Sequence, residues 1–298
     1  MNSINKPVRS LLFTPGNQLE KVRKVGDFGA DVVILDLEDS VPHSEKDIAR
    51  MIVKDTISIA GSGGSVVLVR INQFPSPLSE KDLNEVVMKE LSGIVVPKVE
   101  SKFHIAKLDS ELNRIEIEKG IEMGTLTILP IIETAKGILE AYSIASASAR
   151  IMAMAFGAED LTSDMGIQRT VSGDEIAYAR AQVAMSAAAM GIPAIDTVYI
   201  DYVDIDGLVR EAKVARKLGF KGKLLIHQNQ VLPVNQIFSP SDKELSQAKK
   251  IIRAYQETLK KGSGVTVVDG KMVDKPIVER ARKLISLQKT IHERENGY

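Results

Sequence analysis

The sequence predicts an α/β chain folded as a TIM (β/α)8 barrel with a C-terminal helix–hairpin–helix lid. Three observations carry this. Eight short apolar runs recur up to residue 227. Each is apolar nearly throughout instead of alternating, the pattern of a strand buried on both faces, as in a parallel sheet. Amphipathic helical stretches separate the runs, and eight such alternations suit a closed barrel. Periodicity counts strands without seeing closure, so an open doubly wound sheet is the alternative.

The predicted strands are residues 9–14 (RSLLFT), 31–38 (DVVILDLE), 65–72 (SVVLVRIN), 93–98 (GIVVPK), 125–133 (TLTILPIIE), 150–157 (RIMAMAFG), 194–200 (AIDTVYI) and 222–227 (GKLLIH). Helices are expected over 45–60, 79–91, 105–117, 135–148, 173–190 and 205–218, where apolar residues fall at helical spacing. Gly29, Gly191 and Gly219 stand where left-handed helix C-caps are expected. After Pro240 the rhythm changes. Residues 241–261 read as one long helix, 265–274 as a hairpin turning at Asp269-Gly270, and a last helix follows Pro276. The boundary is therefore drawn between a barrel, 1–239, and an extension, 240–298, that caps the barrel mouth or a neighbouring subunit.

Composition excludes several classes. The chain of 298 residues carries 39 basic and 39 acidic side chains. A balanced charge and 4% aromatic content argue against nucleic acid and anionic membrane as partners. With no cysteine there is no disulfide, thiolate nucleophile or zinc–thiolate site, so any metal is held by oxygen or imidazole. His43, His104 and His227 lack metal-ligand spacing. The N-terminal residues MNSINKPVRS have no signal-peptide core, and no apolar run is long enough to span a membrane. A cytoplasmic location is expected.

Charge gathers at the C-terminal ends of the runs: Glu38, Asp39, Arg70, Lys98, Glu133, Asp160 and His227. A barrel of this kind builds its active site there. Glu133 follows four apolar residues and must be wet, paired or metal-bound. Asp160 is either a helix-start carboxylate or a second ligand. Two carboxylates on adjacent strand ends can share a Mg²⁺ ion, which takes few protein ligands and leaves the rest to water and substrate. Arg70 can grip a substrate carboxylate or pair with Glu38. Asp36 and Glu38, two apart on one strand face, both point toward the barrel axis. Arg70 and Lys98 against Glu38 and Asp36 could also form a satisfied polar layer without chemistry. Asp274, read from residues alone, is a helix cap before Pro276.

These segments resemble a known family. RSLLFTPG, DVVILDLEDSV, VRIN, VPK, IIET, GAEDLTSDMG, DTVYID, LLIHQNQV and DGKMVDKPIVERA follow the order of the citrate lyase beta-chain-like family. That family is part of the HpcH/HpaI aldolase superfamily, with malyl-CoA and citramalyl-CoA lyases as relatives. The resemblance implies a homotrimeric TIM barrel binding Mg²⁺ (or Mn²⁺) through Glu133 and Asp160. It also implies Arg70 as a ligand of the acyl-CoA substrate and Asp274 as the proton donor to the enolate, delivered from a neighbouring subunit. Glu38 and Lys98 fall among the substrate-side residues, and Phe13 and Thr14 near the thioester arm. IHQNQ departs from the commoner family pattern. IIETAKG resembles stand-alone CoA-dependent members more than dedicated citrate lyase beta chains. The implied reaction is Mg²⁺-dependent cleavage of a citramalyl-, malyl- or citryl-CoA type 3-hydroxy-acid thioester to acetyl-CoA and a 2-keto acid. The alternatives are a metal-dependent aldolase on free keto acids, a malyl-CoA-type thioesterase, and a citrate lyase beta subunit that needs an acyl-carrier partner.

Overall fold

The computed structural model describes residues 7–260 and 262–296. Eight parallel strands close a barrel: β1 (Ser10–Pro15), β2 (Val32–Asp36), β3 (Val66–Arg70), β4 (Gly93–Val96), β5 (Thr127–Ile132), β6 (Met154–Phe156), β7 (Ala194–Asp196) and β8 (Gly222–Leu225). They lie in chain order, and β1 closes the ring by pairing with both β2 and β8. This settles closure, which periodicity could not.

The strands are shorter than the apolar runs. Glu38, Lys98, Glu133, Gly157, Ile200 and His227 all lie beyond the last ladder residue. At those points the backbone leaves the sheet to start the next helix, so the polar ends of the runs belong to loops. Along each strand alternate residues enter one packed cluster: Leu11, Ile34, Leu68, Val95, Ile131, Ala155 and Ile195 are all buried in it. Continuing the two-residue period places Phe13, Asp36, Arg70, Glu133 and Gly157 one layer higher on the inner face.

The connections carry α1 (Leu19–Lys24), α2 (Lys46–Ala60), α3 (Pro77–Val86), α4 (Lys102–Glu118), α5 (Ala135–Leu139), α6 (Ala141–Ala145), α7 (Ala158–Asp164), α8 (Ala177–Ala189) and α9 (Ile205–Leu218). The single helix expected over 135–148 is two, broken where Glu140 leaves helical geometry. Gly29, Gly191 and Gly219 all have positive φ, as left-handed caps require.

The chain divides into two compact units, one centred on Val8–Asn235 and the other on Gln236–Tyr298. The division falls within α10 (Val231–Phe238). In the second unit, α11 (Asp242–Leu259) opens with a capping box of Ser241 and Glu244. It packs on the hairpin of β9 (Thr266–Val268) and β10 (Lys271–Val273) and on α12 (Lys275–Glu295), with Tyr255, Val268, Val273 and Val278 as its small core. Asp269 and Gly270 both have positive φ, the geometry of a tight type I′ hairpin turn. No helix of the described residues is long and apolar enough to cross a membrane.

Candidate active site

The site is built on the ends of β2 to β6. Asp36 and Arg70 are register partners on β2 and β3. The pairing is bidentate: Arg70 Nε donates to Asp36 Oδ1 at 2.6 Å and Nη2 to Oδ2 at 2.7 Å. Asp36 also accepts the backbone N–H groups of Glu38 at 2.9 Å and Ser40 at 3.1 Å, and the Ser40 hydroxyl. Burial opposes ionisation of Asp36, yet the Arg70 hydrogen bonds and charge hold its carboxyl below the usual range. The same contacts raise the Arg70 guanidinium against the cost of its burial. The guanidinium lies 4.7 Å over the Phe13 ring, a cation–π contact that sets its plane.

The third Arg70 nitrogen faces outward. Nη1 lies 3.0 Å from Glu38 Oε2 and 3.4 Å from Asp39 Oδ2. The Glu38 contact lacks hydrogen-bond alignment, and Oε2 is buried without a bonded partner. Burial, with the Asp39 and Asp36 charges, pushes Glu38 up to about 7 against the pull of Arg70 and Lys98. Lys98 Nζ spans the rim, 3.6 Å from Glu38 Oε1 and 3.4 Å from Asp160 Oδ1.

Lys98 contributes a second way. It has φ +51°, in the left-handed region that a side chain enters at a cost. That turn aims its backbone N–H at Glu133 Oε1, 2.8 Å away. Nothing in the apolar run GIVVPK signals this conformation.

Glu133 is 4% exposed. Burial and the neighbouring Asp160 charge push it up to about 8 against the Lys98 N–H bond. Asp160 sits in the first turn of α7 and is more open, so it reads as both a helix-start carboxylate and a rim group. The loops after β5, β6 and β7 are tied to one another. Asp164 Oδ2 on α7 accepts the Ala135 N–H at 2.8 Å, and the buried Thr197 hydroxyl accepts the Ala158 N–H at 2.9 Å. Sequence reasoning passed over both tethers.

Gly157 forms the floor under Glu133. A Cβ there would lie 2.5 Å from Glu133 Oε2 and 2.7 Å from its Cβ, although the Gly157 backbone (φ −113°, ψ 102°) suits any residue. Gly157→Ala is therefore chiefly a test of Glu133 placement, the next contact being Ile131 Cγ2 at 3.1 Å. We expect it to weaken divalent-cation binding and to lower turnover about a hundredfold, the scale set by displacing a reacting group by an ångström. Metal titration and steady-state kinetics on one preparation check this. Unchanged values for both would mean that Glu133 position is immaterial.

Among the described residues no three His, Asp or Glu side chains converge to hold a metal. The protein offers two carboxylates, Glu133 and Asp160, and burial holds the Glu133 carboxyl up to about 8. An all-oxygen pair is the donor set that Mg²⁺ accepts, with water and substrate completing the shell. The residues fit that ion.

Other expected site residues are distributed as follows. Thr14 is buried on β1, and with Phe13 it lines a cavity of about 350 Å³ that Lys21, Lys24, His227 and Gln228 complete. His227 stacks on Tyr202, ring centroids 4.7 Å apart. Asp274, in the second unit, caps α12: its Oδ1 accepts the Ile277 N–H at 3.4 Å.

An eight-stranded parallel barrel whose upper rim gathers two carboxylates, an arginine and a lysine has the arrangement of an enzyme of this fold. The chain belongs to the HpcH/HpaI aldolase/citrate lyase family, a family of oxo-acid carbon–carbon lyases, whose profile matches residues 9–228. It is 39% identical over 284 residues to citrate lyase subunit beta of Leuconostoc mesenteroides subsp. cremoris, covering 95% of this chain and 94% of that one. It is 32% identical over 298 residues to mitochondrial citramalyl-CoA lyase of Rattus norvegicus, covering 97% and 88% respectively. A crystal structure of CitE from Mycobacterium tuberculosis in complex with magnesium, acetoacetate and coenzyme A superposes with a TM-score of 0.78. The two are 28% identical, with 96% of this chain and all of that one covered.

Proposed function

We propose that the protein cleaves a 3-hydroxy-acid thioester of the citramalyl-, malyl- or citryl-CoA type to acetyl-CoA and a 2-keto acid, with Mg²⁺ (or Mn²⁺) held by Glu133 and Asp160. The observation that carries this reading is the pairing of buried Glu133 with Asp160 under a rim of Arg70 and Lys98. That rim sets two carboxylates that suit a cation beside two cationic side chains that suit a carboxylate-bearing substrate. Relatives crystallised with magnesium, a keto acid and coenzyme A support it.

Held by Glu133 and Asp160, Mg²⁺ would supply Lewis acidity toward the substrate's 3-hydroxyl oxygen, easing its deprotonation. The residues of the chain do the rest. A rim carboxylate takes the hydroxyl proton, and Glu38, pushed up to about 7, is poised to exchange one near neutral pH. The oxygen's electron pair forms the keto group. The C–C bond pair passes to the thioester fragment as an enolate, whose negative charge Arg70 and Lys98 face. Asp274 of a neighbouring copy returns a proton to the enolate carbon, giving the acetyl thioester. Phe13, Thr14, Lys21 and Lys24 line the cleft for the thioester arm, the lysines suiting its phosphates.

A homo-oligomer, a trimer by the family resemblance, is part of this reading. Leu139, Tyr142, Tyr178 and Met185 are exposed on α5, α6 and α8, helices that pack on one another, and apolar side chains so placed suit a subunit contact. A monomeric mass in solution would remove this element.

Asp274→Asn is expected to abolish acetyl-CoA release while leaving Mg²⁺ affinity and the α12 cap intact, because asparagine caps a helix as well as aspartate. Wild-type turnover in that variant would take Asp274 out of the reaction. Free CoA as the product of the wild-type protein would instead indicate thioester hydrolysis.

The extent of identity to a citrate lyase beta subunit favours a second reading, a subunit acting on an acyl-carrier thioester. Turnover of the isolated chain on CoA thioesters separates the two.

A further inference from the structure

We propose that Lys46 is a positioning residue for this site, a role that rests on the lyase reading above. Lys46 opens α2 and is buried, 8% exposed. Its ammonium makes two hydrogen bonds, both to backbone: Nζ donates to Leu37 O and to Glu38 O, each at 2.6 Å. No carboxylate oxygen lies in salt-bridge range of it among the described residues. Burial lowers its proton affinity, and the surrounding Asp36, Asp82, Glu38 and Asp39 charges pull the other way. A buried ammonium satisfied only by carbonyls is a costly device for stability, where an apolar side chain would pack as well.

Its location explains it. The two carbonyls flank the turn that carries Glu38. The same turn is held from the barrel side by Leu37 N–H donating to Arg70 O at 2.9 Å, and closed on itself by Val41 N–H donating to Glu38 O at 3.1 Å. Lys46 grips it from the outside. One helical turn on, Arg50 does the equivalent for the next loop. Its Nε donates to Asp82 at 2.7 Å, and Asp82 accepts both the backbone and side-chain N–H groups of Asn72, two residues past Arg70. One face of α2 thus fixes the loops after β2 and β3, and with them the Glu38 carboxylate and the Arg70 fork. Glu133 and Asp160 are carried by β5 and α7 and not by this frame, which they meet through Lys98 Nζ.

The test compares Lys46→Met and Lys46→Arg with the wild-type protein. Lys46→Met is expected to lower kcat about tenfold or more, with KM within about threefold. Mg²⁺ affinity is expected to stay unchanged, and Lys46→Arg, which keeps charge and donors, recovers most of the loss. Amide hydrogen exchange in Lys46→Met rises over residues 37–41 and not over 133–137. Wild-type kcat in Lys46→Met overturns the proposal, as does a parallel loss of Mg²⁺ affinity and kcat that Lys46→Arg fails to recover. Should the wild-type protein turn over no thioester, the lyase reading falls by itself. The exchange pattern then decides the positioning role, and unchanged exchange over 37–41 overturns it.

Discussion

Glu133→Gln is expected to abolish divalent-cation binding and to lower turnover by about 10²–10³-fold or more, the scale of losing one preorganised electrostatic group. The substitution is close to isosteric. The amide oxygen can still accept the Lys98 N–H, so the loop geometry survives. What disappears is a buried charge. In the metal-free protein Glu133 is raised from 4.5 to about 8, so its carboxylate form opposes folding. Stability from this group is full below about 4.5, falls as pH rises toward about 8, and is level beyond. Glu38, raised to about 7, adds the same sign over a narrower window. Metal-free Glu133→Gln should therefore be more stable than wild type above neutral pH, by on the order of a few kcal/mol, with part of the pH slope gone. Metal affinity of the wild type should climb with pH up to about 8, since binding must displace the Glu133 proton. Thermal melts and calorimetric Mg²⁺ titrations across pH 5–9 check both. A less stable metal-free variant would mean that Glu133 is held by interactions stronger than burial costs.

The second large effect is at Arg70. Arg70→Met removes the bidentate partner of Asp36, which is 1% exposed, and the cation facing Glu38. Breaking a buried pair from one side typically costs roughly 3–5 kcal/mol, because the remaining charge has no substitute for water. Arg70→Lys keeps a charge but not the fork. A single ammonium cannot bond both Asp36 oxygens and face Glu38 together. We expect Arg70→Lys to fold with a smaller loss and still lose most turnover. Arg70→Met should lose both stability and turnover. Urea unfolding and kinetics on both variants read the two effects separately. An active Arg70→Lys would show that charge, and not the planar fork, is what the site needs.

The sequence disclosed the barrel because strands buried on both faces need continuous apolar runs, and the site because the charges ending those runs gather on one rim. Glu133 and Arg70 stood out for that reason. The details that make the site specific lie in register and torsion, which one chain does not display. The sequence offers Arg70 both Glu38 and Asp36 as partners. The ladder puts it opposite Asp36 and leaves Glu38 to its outer nitrogen. Lys98 follows Pro97 and reads as extended, yet it turns left-handed to reach Glu133. Lys46 occupies an ordinary polar position in an amphipathic pattern, and only its burial distinguishes it. The break at Glu140 was hidden because helical periodicity continues across it. Asp274 reads from local sequence as a cap, which it is; its role in catalysis stays a proposal that the Asp274→Asn product assay decides.

The most direct test is release of acetyl-CoA from citramalyl-CoA, malyl-CoA and citryl-CoA by the purified chain, with Mg²⁺ and with EDTA. Acetyl-CoA forming from at least one of the three with Mg²⁺, and not with EDTA, is the result expected of a cation held by Glu133 and Asp160. Equal turnover in EDTA, or no acetyl-CoA from any of them, would contradict it.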